Sequence, residues 1–290
     1  MKTFLDLLLN GVALGAAYAL VALAFVIIYK ATGVINLSQG TIMLVGALIM
    51  YSISEQWGVP FYPALLLAMA AGALLGIVLE RLIMRHLVGE PAFAQLMVTI
   101  GILFVLTEVG NNVWGVDPLV LHIPWRGTAH WAGATISVSN LWRMGFAALA
   151  MLAFFAFFRF STTGLAMRAT ALDQEAALAQ GISARRVHMT AWGVAGAVGT
   201  LAGVMLTATY GLTPELQFFA LLAFPAMILG GLDSPGGAVV GGLIIGLAQN
   251  IASEYFPMRG FDQVFPYVVM IAILLVRPFG LWGTREVQRI

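Results

Sequence analysis

Long apolar runs separated by short polar connections fill most of the chain. A transmembrane helix needs about 20 predominantly apolar residues, and runs of roughly that length recur from one end of the sequence to the other. They predict spans near residues 7–29, 34–54, 63–79, 95–113, 141–158, 189–210, 216–231, 236–253 and 264–280. The pattern therefore predicts an all-α polytopic membrane protein, a bundle of about eight or nine transmembrane helices.

Two of these runs contain residues that interrupt a helix. Asn36, Ser38, Gln39 and Gly40 lie at the start of the second run, and the seventh run contains Pro225. Irregular backbone at membrane depth is tolerated only where it faces protein or a water-filled cavity. We therefore expect short or broken helices in both places. Whether residues 34–54 cross the membrane completely stays open, and with it the side on which the N-terminus lies.

Composition agrees with a membrane protein and excludes several functions. Hydrophobic residues make up 61% of the chain and charged residues 9%, against about 45–50% and about 25% in a soluble domain. A net charge of +1 without a basic stripe gives no support to nucleic-acid binding. The absence of cysteine excludes disulfides, cysteine-ligated metals and thiol nucleophiles.

Enzymatic sites are equally unsupported. The four histidines are scattered and do not form a metal-ligand motif, and Ser234 has no histidine base predicted at membrane depth. The two lysines, Lys2 and Lys30, do not lie in a phosphate-binding loop. We therefore expect no catalytic residue, metal ligand or bound cofactor in this chain, and any ATP must be bound by another subunit.

Arginines are distributed unequally between the two sets of connections. One set contains Arg81, Arg85, Arg159, Arg168, Arg185, Arg186, Arg277, Arg285 and Arg289, and the other contains Arg126, Arg143 and Arg259. Short cytoplasmic loops carry the excess of Lys and Arg, so we assign the first set to the cytoplasm. Residues 114–142 are then external, and their four tryptophans are expected to be interfacial anchors, namely Trp114, Trp125, Trp131 and Trp142.

Polar side chains within predicted spans are candidates for a solute pathway, because they are costly there and usually face the bundle interior. Two groups are of this kind: Asn36, Ser38, Gln39 and Gly40, and then Glu108, Asn111 and Asn112. The alternatives are helix capping for the first group and interfacial solvation for the second. Gln249 and Asn250 lie at a span end and are expected to be interfacial.

Glycines recur at a spacing that allows close helix contact. Gly237 and Gly241 show the small-x-x-x-small spacing of packed membrane helices, and the pair Gly230 and Gly231 lies just upstream. We expect all four glycines to be helix-packing positions.

The basic segment 159–188 predicts one short helix. Asp173 is a favourable N-cap, Glu175 lies in the first turn, Ala176 and Ala177 propagate the helix, and Gly181 ends it. A helix this short is marginal in water. We therefore expect it to pack against its own bundle or against a groove on a partner, the alternative being a plain surface turn.

The same segment, Glu175-Ala176-Ala177-x-x-x-Gly181, resembles the EAA motif of ABC-importer permeases. Further motifs between residues 10 and 283 resemble, in matching order, the LivH-type permease of branched-chain amino acid importers. They are Asn10-Gly11-x-x-x-Gly15, Gly33-Val34-Ile35-Asn36, Glu80-Arg81, Met167-Arg168-Ala169, Gly230-Gly231-x-x-Ser234-Pro235-Gly236-Gly237 and Arg277-Pro278-x-Gly280.

The resemblance implies a heteromeric importer in the bacterial inner membrane. Residues 1–290 would be a single transmembrane permease domain that forms half of the pathway, with a cytoplasmic coupling loop at 159–188. The partners would be a second homologous permease, two cytoplasmic ATPases that bind ATP and Mg²⁺, and a periplasmic solute-binding protein. The solute would be a branched-chain amino acid or a related neutral amino acid, urea or amide, or small carboxylate. The residues expected to contact the ATPase are Arg168, Asp173, Glu175, Ala176, Ala177 and Gly181.

The residues alone also allow a function other than that of an ABC-importer permease. The chain would then be a stand-alone channel or an ion-coupled secondary transporter, with Glu108 as a protonatable site. The energy source separates the two hypotheses, because a secondary transporter needs no ATP.

Overall fold

The computed structural model describes residues 4–125, 127–131, 134–256, 258 and 260–283. It is almost entirely helical. The helices are α1 (Phe4–Thr32), α2 (Gln39–Tyr51), α3 (Phe61–Leu82), α4 (Ala92–Trp114), α5 (Val138–Phe160), α6 (Thr162–Leu172), α7 (Gln174–Ala179), α8 (Ala184–Tyr210), α9 (Phe219–Leu222), α10 (Phe224–Gly230), α11 (Pro235–Tyr255) and α12 (Phe261–Val276). Short π and 3-10 segments occupy Ser52–Gln56, Met84–Leu87 and Pro214–Phe218.

Each predicted span corresponds to a helix or to a string of short helices. Within the described ranges, six helices are long and apolar enough to cross a membrane, namely α1, α3, α4, α5, α8 and α11. The second, seventh and ninth spans correspond to the shorter helices α2, α9 with α10, and α12. The prediction of an all-α polytopic membrane protein is confirmed.

Both interrupted spans are broken where the sequence predicts. The chain leaves α1 at Thr32 and starts α2 only at Gln39. The seventh span begins as a 3-10 turn at Pro214, and Pro225 lies in the first turn of α10. A proline lacks the N–H that would continue a preceding helix, which explains why α9 and α10 are separate.

The connections contain more structure than expected. Residues 159–188 hold two helices rather than one, since α6 precedes α7. Ser161 starts α6, and its hydroxyl accepts a hydrogen bond from the Gly164 backbone N–H. The stretch that the arginines predict to be external contains an antiparallel hairpin, β1 (Thr128–Trp131) paired with β2 (Ala134–Ser137). The last predicted loop residue, His188, lies instead in the second turn of α8.

Three expectations about single residues need correction, and four arginines lie outside the described residues. Trp125 is buried and stacks on Trp142, so it is not an interfacial anchor. Arg143 is buried within α5 rather than in a connection. Gln249 is also buried and accepts a hydrogen bond from the Tyr18 hydroxyl, because α11 packs against α1 at this level. The positions that lie outside the described residues are Arg126, Arg259, Arg285 and Arg289.

The chain divides into two compact units, and the expectation of one domain over residues 1–290 stays a prediction. Unit 1 comprises Met1–Val26, Trp125–Ala147 and Ala220–Ile290. Its helices meet at glycines: a Cβ at Gly242 would lie 2.5 Å from Ala19 of α1, and a Cβ at Gly237 would overlap the Gly230 backbone. Small residues allow this close approach of helix backbones in lipid.

Unit 2 comprises Ile27–Pro124 and Ala148–Phe219. Its centre is α8, which α2 and α3 contact through backbone surfaces that carry no side chain. A Cβ at Gly203 would lie 2.5 Å from the Met43 carbonyl, and a Cβ at Gly76 would overlap the Trp192 carbonyl. This unit contains the polar residues described next.

Candidate functional site

Polar side chains that are buried or partly buried form a cluster around the start of α2 in unit 2. The polar cluster consists of Asn36, Ser38, Gln39, Thr41, Thr99, Thr107 and Gln217. Asn36 begins it, because its Oδ1 accepts hydrogen bonds from the Ser38 backbone N–H at 3.1 Å and the Ser38 hydroxyl at 2.6 Å. An asparagine that binds the backbone two residues ahead forms an Asx turn. This turn carries the chain from α1 into α2.

Gln39 links the first turn of α2 to α8. Its Nε2 donates to the Ala195 carbonyl at 3.2 Å, and its Oε1 accepts from Asn36 Nδ2 at 3.3 Å. The side chain lies directly against Gly199, where a Cβ would come within 2.5 Å of Nε2. Gly40, next to it, is buried.

Gln217 links three segments that are distant in sequence. Its Oε1 accepts from the Thr41 hydroxyl at 3.0 Å and from the Thr107 hydroxyl at 2.9 Å. The 3-10 turn Pro214–Phe218 is thereby held to both α2 and α4. Thr99 of α4 adds a further link, since its hydroxyl accepts from the Leu37 backbone N–H. The sequence analysis did not predict a role for Gln217. Its hydrogen-bond partners are more than 100 residues away in sequence, so no local pattern reveals them.

The second predicted pathway group is divided between different faces of α4. Asn111 borders a small cavity together with Leu48 and Thr213. Glu108 and Asn112 are exposed, and Asn112 Nδ2 donates to the carbonyl of Glu108 one turn earlier. The structure therefore brings together Asn36, Ser38 and Gln39, but it does not place Glu108 or Asn112 with them.

A larger pocket of about 310 Å³ lies at the other end of unit 2, beside the connection between α3 and α4. Its buried wall contains Glu80, His188 and Trp192. Glu80 is paired with Arg85, whose Nη2 lies 2.9 Å from Oε2. The sequence shows Glu80 next to Arg81, but Arg85 one turn further on supplies the ion pair. Our reading of the sequence did not identify this pocket.

The helices α6 and α7 form a short arm that begins at the end of α5. Arg168 of α6 donates to the last carbonyls of α5, those of Phe158 at 2.8 Å and Arg159 at 3.2 Å. A cation at a helix C-terminus satisfies free carbonyls and suits the helix dipole. Arg168 therefore fixes the base of the arm.

The α7 helix forms as the sequence predicts. Asp173 Oδ1 accepts from the Ala176 backbone N–H at 2.9 Å, and Gly181 follows the helix with φ +80°. Ala177 is buried, whereas Glu175 and Ala176 are exposed. Leu172 and Leu178 are 88% and 50% exposed. The exposed surface of α7, together with the end of α6, thus combines the Glu175 carboxylate with two uncovered leucines.

The glycine and serine positions of unit 1 have structural explanations. The Ser234 hydroxyl accepts from the Gly237 backbone N–H and caps α11. A Cβ at Gly241 would overlap the Ala226 carbonyl. Gly231 has φ +109° and lies against the Gly283 backbone. These residues hold α10, α11 and the segment after α12 together.

Comparison with known proteins identifies this architecture. The sequence profile described as "Branched-chain amino acid transport system / permease component" matches residues 7–274. The chain belongs to this family. It is 32% identical to the high-affinity branched-chain amino acid transport system permease protein LivH of Salmonella typhimurium, over 99% of this chain and 98% of the relative. It is also 24% identical to the corresponding LivM protein of Escherichia coli, over 91% of this chain and 67% of the relative.

Among solved structures, PsaBC from Streptococcus pneumoniae in complex with Fab aligns with a TM-score of 0.50 at 14% identity. The alignment covers 92% of this chain and 89% of that chain, so the two share a fold. The family match and the apolar helices show that the chain is a multi-pass membrane permease. The recognition of the LivH-type family from the sequence is confirmed.

Proposed function

We propose that the chain is the permease subunit of an ATP-driven importer for branched-chain amino acids in the bacterial inner membrane. The observation that carries the proposal is the match to LivH over nearly the full length of both proteins. The chain would form half of the translocation pathway, and a second permease would form the other half. The match to LivM supports a related permease as that partner.

The proposed contact with the ATPase subunits is the outer surface of α7. Its exposed Glu175 and Ala176, with Leu172 and Leu178 beside them, offer a charged and apolar surface. The buried Ala177 and the Arg168 contacts join α7 to the bundle through α6. A displacement of α7 by a partner would thus reach the end of α5 without passing through a flexible linker.

The proposed solute pathway includes the polar cluster of unit 2. Its amide and hydroxyl groups are neutral and already paired with one another. Such groups can replace their hydrogen bonds to one another with hydrogen bonds to a passing zwitterion. Because none of these side chains is charged, the exchange leaves no unpaired charge on the protein. Weak contacts suffice if a periplasmic binding protein supplies the affinity, as we propose.

The contacts of α1 support an orientation with the N-terminus outside. At its start, Asp6 Oδ1 accepts from the Thr135 backbone N–H of the external hairpin at 2.6 Å. At its end, Lys30 lies 6.0 Å from the Phe158 ring, beside the cytoplasmic arm. Both contacts agree with the orientation that the arginines indicate.

Co-purification followed by transport tests the proposal. The chain is affinity-purified from native membranes, the bound proteins are identified by mass spectrometry, and L-leucine uptake is measured after reconstitution. We expect two ATPases, a second permease and ATP-dependent uptake. Uptake by the isolated chain that needs no ATP and is abolished by a protonophore would refute the proposal and favour an ion-coupled secondary transporter.

Glu175→Lys tests the coupling surface separately. We expect ATPase activity to lose its stimulation by loaded binding protein and uptake to fall, while membrane insertion is unchanged. Asp117→Lys is the matched control, because Asp117 is an exposed carboxylate just beyond the C-terminus of α4 and far from α7 in sequence. Normal uptake in Glu175→Lys would refute the role of α7.

A further inference from the structure

The pocket beside the connection between α3 and α4 has an exposed rim and a buried floor. The rim is formed by Val88, Gly89 and Glu90, and the floor by Glu80 and His188, which are 1% and 7% exposed. A volume of about 310 Å³ falls within the range of small-ligand sites. The pocket lies entirely in unit 2 and is separate from the polar cluster.

Electrostatically, the pocket favours a cation. Its lining includes two carboxylates, Glu80 and Glu90, and neither lysine nor arginine is among the described lining residues. Arg85, just outside the lining, neutralises Glu80 through contacts at 2.9 Å and 3.4 Å. Glu90 on the rim therefore carries the uncompensated negative charge.

His188 supplies a buried hydrogen-bonding atom without a partner. One ring nitrogen donates to the Ala31 carbonyl, and Nε2 is buried with no hydrogen-bond partner within the part of the chain that the structure describes. In the neutral ring, Nε2 is then a lone-pair acceptor. A buried acceptor of this kind needs a donor, which a ligand or an ordered water supplies.

The remaining wall is apolar. Met84 and Trp192 are buried and Val88 is 47% exposed. An aromatic ring and two aliphatic side chains suit a compact hydrocarbon body, and an indole face also attracts a cation. A primary ammonium group, like that of lysine, has three N–H donors. The pocket presents acceptors for them in its two carboxylates and in His188 Nε2.

We propose that this pocket binds a primary ammonium group carried on a compact apolar body. The site lies on the side that the arginines assign to the cytoplasm. The inference rests on the proposed function only for the identity of the natural ligand, which would be the imported amino acid after its release. The ammonium headgroup of phosphatidylethanolamine shares the same chemistry.

Calorimetric binding to the purified full chain, with the subunits that co-purify, tests the site. The chain is held in phosphatidylglycerol nanodiscs and titrated with isopentylamine, L-leucine and 4-methylpentanoate, which share a branched hydrocarbon body. We expect isopentylamine to bind and 4-methylpentanoate, which has no ammonium group, not to bind. Equal binding of these two probes, or no binding of isopentylamine, would overturn the inference.

Two variants locate the binding. Glu90→Gln removes the rim charge and is expected to weaken isopentylamine binding about tenfold or more. Val88→Trp fills the pocket from its exposed rim and is expected to abolish binding. Asp262→Asn, in the first turn of α12, is the matched control and should bind as the wild type does. Unchanged affinity in both Glu90→Gln and Val88→Trp would overturn the site.

Two further arms identify the source of the ammonium group. Competition by phosphatidylethanolamine in the nanodisc, seen as a weaker apparent affinity for isopentylamine, would support the site with a lipid as its ligand. Binding of L-leucine without such competition would support the site with the imported solute as its ligand. If isopentylamine binds but the complex does not transport leucine, the site is supported and the proposed solute is refuted. If the complex transports leucine but isopentylamine does not bind, only the site is refuted.

Discussion

Replacing Gln217 by methionine tests the polar cluster at the point where three segments meet. Methionine keeps the length of the side chain but replaces the amide oxygen with a weak acceptor. Thr41 is completely buried, and its hydroxyl would lose the acceptor that now lies 3.0 Å away. Thr107 would keep a second acceptor, the Leu103 carbonyl at 2.8 Å. The variant therefore removes one essential hydrogen bond rather than two.

The size of the effect follows from hydrogen bonds between membrane helices. Double-mutant cycles give an average near 0.6 kcal/mol for such bonds and at most about 1.7 kcal/mol. Thr41 has no exposure to water, so we expect a coupling of about 1 kcal/mol between Thr41→Val and Gln217→Met. The double variant should be less destabilised than the sum of the single variants, because neither partner then leaves a buried polar group unpaired.

The free energy of unfolding is measured by SDS titration of the purified chain in micelles, followed by tryptophan fluorescence. The cycle between Thr107→Val and Gln217→Met is the matched control, and its coupling should be smaller because Thr107 retains the Leu103 carbonyl. A coupling within about 0.3 kcal/mol of zero for the pair of Thr41 and Gln217 would refute the role of this hydrogen bond. A larger coupling for Thr107 would refute the assignment of the acceptors.

Three further predictions concern other parts of the structure. Arg85→Met leaves the buried carboxylate of Glu80 unpaired and should lower the free energy of unfolding by about 3 kcal/mol. Adding Glu80→Gln to this variant should restore stability, and a double variant that stays as unstable as Arg85→Met would contradict the prediction. Asp173→Ala removes the N-cap of α7 and should cost about 1 kcal/mol locally, measured as faster amide exchange in α7; unchanged exchange would contradict the capping. Gly237→Ala should reduce the yield of folded protein, whereas Gly236→Ala, whose Cβ meets nothing within 4 Å, should not; equal yields would contradict the helix contact.

The sequence predicts the spans and the short helix α7 because these features depend on local properties. Apolar runs of the required length identify membrane helices whatever their neighbours are. The first turn of α7 needs an acceptor for its free N–H groups, which Asp173 provides. The chain leaves the helix through a residue with positive φ, which favours glycine and explains Gly181. The Asn36 turn before α2 is equally local, since its bonds to Ser38 span two residues.

Only the tertiary structure decides which polar residues lie together. Gln217 meets Thr41 across 176 residues of sequence, and Gln39 meets the Ala195 carbonyl across 156. Glu108 and Thr107 are neighbours in sequence but lie on different faces of α4, because successive residues on a helix are about 100° apart. The pocket beside Glu80 depends on the packing of α3 against α8. Local composition determined the helices of this permease, whereas long-range packing determined the hydrogen bonds and cavities through which it can act.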